Sequence, residues 1–393
     1  MTGLADFFGW DALTAADNYM LNNGVQFALN IEPGAELCSR TVERYQALFQ
    51  EDEAAQKTFF SVTAQLVELL DQDVSKQRLD STHVCSHMAT FGRIKLMAVT
   101  LKRALTQINR HERDLYESLP AELRLRYEPT QGQLFAGLKD EEARKRSRQQ
   151  VAEDMFTVIV QFGDVPTING RSSFKLLRKV FEQQVEVLEE CLLVKKKTGG
   201  DVIQNPSDPD ATYDGHKGAG YQIQLSETCS DENEVQLIVG AIPETAVAYD
   251  GDALAPMLEQ LQEQGWLPEE LLADTAYGSD ANMQLADAMK VDLIAPTCGR
   301  APQASADEMT LDDFAHHEET GAVEACPQSH EPLRVTREEV VSTNSELKNR
   351  LEMDRLPVRG KGAVFRVMMN KVTGWNILRA STTAKLTRGS QRR

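Results

Sequence analysis

At 393 residues, with 41% hydrophobic and 26% charged content, the chain has the make-up of a soluble globular protein of two or three domains. No apolar run approaches the roughly 18 residues of a membrane helix. The opening "MTGLADFFGWDALTAADNYM" lacks the basic start and apolar centre of a signal peptide, so a cytoplasmic location is expected. A net charge of −18 argues against binding nucleic acid over the whole surface. The charge is uneven, however: Arg334 to Arg393 holds 14 Lys/Arg against 5 Asp/Glu. A basic C-terminal part on an acidic chain suits either a solvated tail or one that meets phosphate. The cysteines Cys38, Cys85, Cys191, Cys229, Cys298 and Cys326 are scattered without CxxC spacing, which suits core thiols of a reducing compartment.

Residues 1–74 read as helical, with Phe59, Val62, Leu66 and Leu69 forming one stripe. "SKQRLDSTHVCSH" breaks that period and reads as a strand ending in a polar turn, over 75–87. Helical spacing returns over 88–200, carried first by Phe91, Ile94, Met97, Leu101, Leu105 and Ile108. A last helix there runs through Val180, Phe181, Val185, Leu188 and Leu192 to a stop at Lys195-Lys196-Lys197 and Gly199-Gly200. The texture then turns to α/β over 201–296. "GYQIQLSETC" alternates Tyr221, Ile223 and Leu225, and "EVQLIVGAIP" is a second strand paired with it through "SDEN". The helix "DALAPMLEQLQEQG" closes at Gly265; "ELLAD" and "VDLIAP" are further strands separated by a short helix. Strands and helices in this order make a mixed sheet with flanking helices. Residues 297–340 are acidic and loop-rich, and 341–393 form the basic C-terminal helical segment.

Two aspartates stand at strand tips: Asp80 in "RLDSTHV" and Asp274 in "LLADTAY". A lone Asp after a strand commonly starts a turn or caps a helix. Two such tips side by side in one sheet offer hard oxygen ligands for Mg²⁺ or Mn²⁺, the arrangement phosphoryl transfer requires. "NPSDPDATYDGHKGAGYQ" adds Asp208, Asp210, His216 and Lys217, in a stretch whose composition equally suits a surface loop. His83 and His87, four apart, have the spacing of one helical face but do not complete a His-Glu-x-x-His zinc motif. "RLPVRGKGAVFR" supplies Arg355, Arg359, Lys361 and Arg366 among glycines that let backbone approach phosphate.

"RLDSTHVCSHMATFGRIKL", "NPSDPDATYDGHKGAGYQIQLSET", "ELLADTAYGSDAN" and "STNSELKNRLEMDRLPVRGKG" closely resemble, in the same order, bacterial insertion-sequence transposases of the DDE class whose RNase H-like domain is split by a helical insertion. The resemblance covers most of the chain. It implies an α/β fold with an RNase H-like mixed sheet, a helical N-terminal region with DNA binding as its candidate role, a first strand at 75–87, a helical insertion at 88–200 and a catalytic core at 201–296. It implies metal-dependent cleavage at the element's ends and strand transfer into target DNA by two Mg²⁺ or Mn²⁺ ions. The partners implied are terminal inverted repeats, target DNA and a second copy of the chain when two ends are paired, with no membrane.

On this resemblance Asp80 is the first acid, with Asp208 as the second choice, and Asp274 is the second acid. Lys348, Arg355, Arg359 and Lys361 would contact DNA. The family's third acid, a glutamate six residues before the lysine of "SELK", falls on Val341, which cannot ligate a metal. Glu338 and Glu339 are displaced from it, and Glu346 lies about 140° around the helix axis. Val341 therefore leaves a second expectation open, an inactive remnant that still binds DNA. Family members also carry a longer, cysteine-rich stretch where "VTREEVV" makes a short junction here. Cys298, Cys326 and His330 are candidate zinc remnants short of the usual four ligands; His316-His317 reads as a solvated loop feature.

Overall fold

A computed structural model describes residues 1–51, 54–89, 91–130, 133–135, 140–188, 191–296, 315–316, 323–325 and 344–383. Val341, Glu338, Glu339, Cys298, Cys326, His317 and His330 lie outside the described residues.

Five helices come first: α1 (Thr2–Phe8), α2 (Ala12–Leu21), α3 (Asn23–Ala28), α4 (Ser39–Glu51) and α5 (Ala54–Leu70). Strand β1 (Lys76–Val84) follows, then α6 (Arg93–His111), α7 (Arg113–Glu117), α8 (Ala121–Arg126), α9 (Glu141–Phe162), α10 (Pro166–Asn169) and α11 (Ser172–Gln184). Here the structure corrects the sequence reading. The helix expected to continue to the triple lysine ends at Gln184, and β2 (Val185–Val187) pairs antiparallel with β3 (Leu192–Val194). Val185, Val187 and Val194 are β-branched and fit a strand better than a helix. The backbone N–H of Lys195 donates to Gln184 O, closing the ribbon onto the helix end.

The chain then enters β4 (Thr212–Asp214), β5 (Gly218–Thr228), β6 (Ile238–Thr245), α12 (Leu254–Gln264), β7 (Glu270–Ala273), α13 (Asp280–Ala288) and β8 (Asp292–Ile294). Short strands β9 (Ala315–His316) and β10 (Val323–Ala325) pair together, and α14 (Asn344–Leu351) and α15 (Lys361–Ser381) complete the described fold. His316 thus lies on a strand rather than in the expected loop.

The six-stranded sheet is mixed. β6, β5 and β1 are antiparallel neighbours, β7 and β8 join parallel on the other side of β1, and β4 pairs with the start of β5. β5 is the inner strand, and its alternation divides two faces. Tyr221, Ile223 and Leu225 join Phe59 of α5 and Val364, Met368, Val372 and Trp375 of α15. The opposite face is covered by Leu254, Met257, Leu258 and Leu261 of α12, packed with Leu79, Val239 and Leu271. Each such side chain stabilises by about 1.5–3 kcal/mol when fully buried.

The insertion has a core of its own, built by α6, α9 and α11 around Met97, Leu101, Met155, Val158, Phe174 and Leu177. It therefore sits beside the sheet as a separately packed helical unit. Gly220, at φ +154°, is where β5 passes closest to β1: a Cβ there would lie 2.4 Å from Val84 O.

Not every cation of the basic C-terminal segment faces solvent. Arg366 and Lys371 of α15 are buried, Arg366 against Asp6 of α1, and Lys371 donating to Leu351 O at 2.6 Å and Phe7 O at 3.1 Å. Arg366 is accordingly a structural residue, contrary to its reading as a phosphate contact. Among the described residues no helix is long and apolar enough to cross a membrane.

Candidate active site

β1 and β7 run parallel, with Leu79 opposite Ala273. The next residue on each strand is an aspartate, so Asp80 and Asp274 leave that last pair side by side, on strands spaced about 4.8 Å apart. β1 continues to Val84, and Asp80 is still paired across to Leu225 of β5. β7 stops at Ala273, and Asp274 caps the 3₁₀ turn Thr275–Tyr277 by accepting from Ala276 N at 2.9 Å. The turn-forming role expected of a lone Asp is thus present and uses one oxygen.

Asp80 Oδ1 accepts from Ser81 N at 2.7 Å. Its Oδ2 accepts from Asn344 Nδ2 at 2.7 Å, and the same amide donates to Ser81 O at 3.1 Å. Asn344 opens α14, so the C-terminal segment docks directly on the first acid. A carboxylate offers about four lone-pair sites, so both aspartates retain acceptor capacity.

Lys217 faces this acidic corner. Lys217 Nζ donates to Asp250 Oδ2 at 3.0 Å, Ser81 Oγ at 3.2 Å and Gln222 Oε1 at 3.3 Å. Its position follows from a local turn: Asp214 Oδ1 accepts from His216 N and Lys217 N, at 2.8 and 2.6 Å. Behind it, the buried Gln224 donates to Glu244 Oε2 at 3.0 Å and Asp250 Oδ1 at 3.1 Å, and accepts from Tyr277 OH. The polar alternate positions of β5 thus organise the acids that its apolar positions cannot.

Asp274 is exposed as a residue, yet its carboxyl is partly shielded. That desolvation raises its pKa, and the negative charges of Asp80 and Asp250 add to the rise against the Ala276 N–H and Lys217. A raised folded-state pKa stabilises the fold below the unfolded value, and that contribution is lost as pH rises through the folded value. Asp274→Asn therefore raises the melting temperature at neutral pH, and the gain disappears below about pH 3.9, the ordinary aspartate pKa. Thermal melts of both proteins across this range check the sign.

The other sequence candidates separate clearly. Asp208 is fully buried and accepts from Ser86 Oγ and Tyr221 OH, both at 2.6 Å. Tyr221 pairs with Val84, four residues along β1 from Asp80, or about 13 Å at 3.3 Å per residue. The structure therefore does not bring the second-choice acid to Asp274; Asp208 ties the loop before β4 to the sheet. Asp210 and His216 are exposed. His83 lies on β1 and His87 beyond its end, so they share no helix. Burial, followed by the positive charges of Lys217 and Lys348, lowers the His83 pKa.

Lys348 is half-buried on α14. The segment after α14 runs along the end of β1: Cys85 N donates to Asp354 O, Leu356 N to Cys85 O, and His87 N to Val358 O. It carries Arg355 and Arg359 outward, both exposed, and Lys361 is exposed at the start of α15, its Nζ 5.4 Å from the Phe365 ring centroid. Asp250, Glu244 and Asn344 were missed by sequence reasoning. Asp250 lies in "AYDGDA", which signals only a turn, and Asn344 reaches Asp80 across 264 positions.

Among the described residues no group of three or more His, Cys, Asp or Glu is placed to hold a metal ion. Two carboxylates completed by water and substrate phosphate are nevertheless a common Mg²⁺ arrangement. No family model, curated protein or solved structure matches the chain.

Proposed function

We propose that the chain is a DDE-type insertion-sequence transposase, cutting DNA at the element's ends and joining the freed 3′-hydroxyl to target DNA. The observation that carries this reading is the adjacency of Asp80, in the middle of β1 and not at the strand tip expected from sequence, to Asp274, which directly follows the end of the parallel neighbour β7. The strand order β6-β5-β1-β7-β8 supports an RNase H-like sheet, with β1 preceding the helical insertion and the other strands following it.

In this reading Asp80 and Asp274 hold Mg²⁺ or Mn²⁺ through hard oxygen donors, and two ions suit the class. Bound there, the ions would lower the pKa of water and neutralise charge on the scissile phosphate. The fit rests on two spare-valent carboxylates: burial first, and then the charge of Asp80, raises Asp274, and a cation would relieve that repulsion. Asp80 must remain oriented, which Ser81 N and the Asn344 amide provide. Lys217 holds Asp250 and limits the negative charge in the corner. Lys348, Arg355, Arg359 and Lys361 supply the cationic approach for the DNA backbone, and a homodimer would pair two ends.

A second reading is favoured by Val341: a DNA-binding remnant without activity, lacking its third acid. Duplex DNA carrying the element's own ends, incubated with Mg²⁺, decides between them. Nicking at the boundary between element and flank is expected of the enzyme. Binding of those ends without nicking, with cleavage restored by Val341→Glu, would establish the remnant instead; indifference to those ends would sink both readings.

A further inference from the structure

Two neighbouring cavities at the junction of insertion and core share Arg103 of α6. One, of about 470 Å³, is lined by Arg103, Arg355, Arg359, His87, Asn205 and Ser207 among others. The second, of about 690 Å³, has Lys102, Arg103, Arg171, Ser172 and Ser173 in its wall. No Asp or Glu lines either one among the described residues, although the chain carries 60 acids. Nor does any of Arg103, Arg171, Arg355 and Arg359 form an ion pair among the described residues. The buried Asp208 lies behind Ser86 of the first cavity's wall and accepts from Ser86 Oγ and Tyr221 OH.

These guanidinium groups are built into place. Arg103 donates to Pro206 O and Ser207 Oγ, which crosses the gap from insertion to core and aims the fork between the cavities. Burial, then the neighbouring Arg359, lowers the Arg103 pKa, so like charges are held together without a counter-charge. Arg171 Nε is buried without a hydrogen-bond partner, at a helix start whose N-cap side chain makes no capping bond. Lys102 differs, its ammonium being taken up by three backbone carbonyls, of Tyr127, Glu128 and Pro129.

We infer that the paired cavities around Arg103 form a phosphodiester-binding site, through which the insertion grips the backbone of a DNA strand beside the catalytic core. This rests on the proposed function but deepens it: the sequence placed DNA contacts in the C-terminal segment and, as a candidate role, in the N-terminal helices, whereas Arg103 and Arg171 belong to the insertion. Arginine suits the role because its planar fork binds two phosphate oxygens at once and stays charged.

The test is binding of a fluorescein-labelled short duplex DNA, followed by anisotropy over a range of salt concentrations. Arg171→Gln is the leading variant, because no side-chain hydrogen bond is lost with it; Arg359→Gln is exposed, and Arg103→Lys keeps the charge but not the fork. Lys290→Gln, exposed in the turn between α13 and β8 and in neither cavity wall, is the control. Each neutralised contact should flatten the slope of log K against log salt by about 0.9 and weaken binding several-fold at fixed salt. Thermal melts must match wild type. A wild-type slope for Arg171→Gln would overturn the inference while leaving the proposed function, which already assigns Arg359 to DNA, intact. Equal competition by inorganic phosphate, or tighter binding of RNA of the same sequence, would also overturn it. A wild-type protein that binds no DNA would remove the proposed function as well.

Discussion

Asp80→Asn abolishes DNA cleavage and leaves the melting temperature near wild type, whereas Asp208→Asn does the reverse. Asp80 is half-buried within β1, and its amide replacement retains an acceptor for Ser81 N, while the Asn344 amide can turn its oxygen to the new donor. On the proposed function its loss removes a metal-binding carboxylate from phosphoryl transfer, a contribution of several kcal/mol to the transition state. At 1.36 kcal/mol per tenfold, a loss of about 4 kcal/mol slows the reaction about 10³-fold. Asp208 accepts from two hydroxyls in a site without solvent. An amide there turns one acceptor into a donor facing a donor, at a cost of about 1–3 kcal/mol. Cleavage rates and thermal melts on the two variants separate the first acid from its rival. Cleavage by Asp80→Asn at the wild-type rate would assign the chemistry elsewhere.

Asp6→Ala destabilises the protein by about 3–5 kcal/mol, as expected when one member of a buried ion pair is removed. Asp6 and Arg366 are 4% and 3% exposed and meet through two parallel bonds, of 2.9 and 3.0 Å. Asn370 Nδ2 donates to Asp6 Oδ2 at 2.7 Å, and Arg366 Nη1 donates to Gln46 O at 2.7 Å. The cluster joins α1, α4 and α15, so truncating Asp6 strands a guanidinium and an amide where water does not reach. Replacing both partners by apolar residues of similar volume (Asp6→Leu with Arg366→Met) recovers most of the loss, because the desolvation of the pair is then avoided. Denaturant melts of the single and double variants measure this directly.

Local patterns revealed the strands and several helix boundaries. β5 is visible in the alternation of Tyr221, Ile223 and Leu225, and α12 in its apolar face and the left-handed Gly265, at φ +73°. Asp274 stands out because an apolar run stops on it. Long-range contacts were not legible. Nothing near Arg366 in the chain announces that Asp6, 360 positions away, will neutralise it. Charge and resemblance together therefore set Arg366 among the candidate phosphate contacts. Arg103 and Arg171 sit among ordinary amphipathic helix residues, and only the docking of the insertion on the core brings Arg103 to Arg359. The β2–β3 ribbon was hidden because Val185, Leu188 and Leu192 also satisfy a helical period, and three valines decided in favour of strands. Asp250 and Glu244 reach the site through Gln222 and Gln224, the polar side chains that alternate with Tyr221, Ile223 and Leu225 on β5.

The central claim is that Asp80 and Asp274 together form a cation-dependent phosphoryl-transfer centre. Single-turnover cleavage of end-bearing DNA by wild type and Asp274→Asn, with DNA binding measured in the same samples, tests it most directly. The account predicts Mg²⁺-dependent nicking by wild type, rising with pH as Asp274 ionises, and none by Asp274→Asn despite equal binding. Equal nicking by both proteins would contradict it.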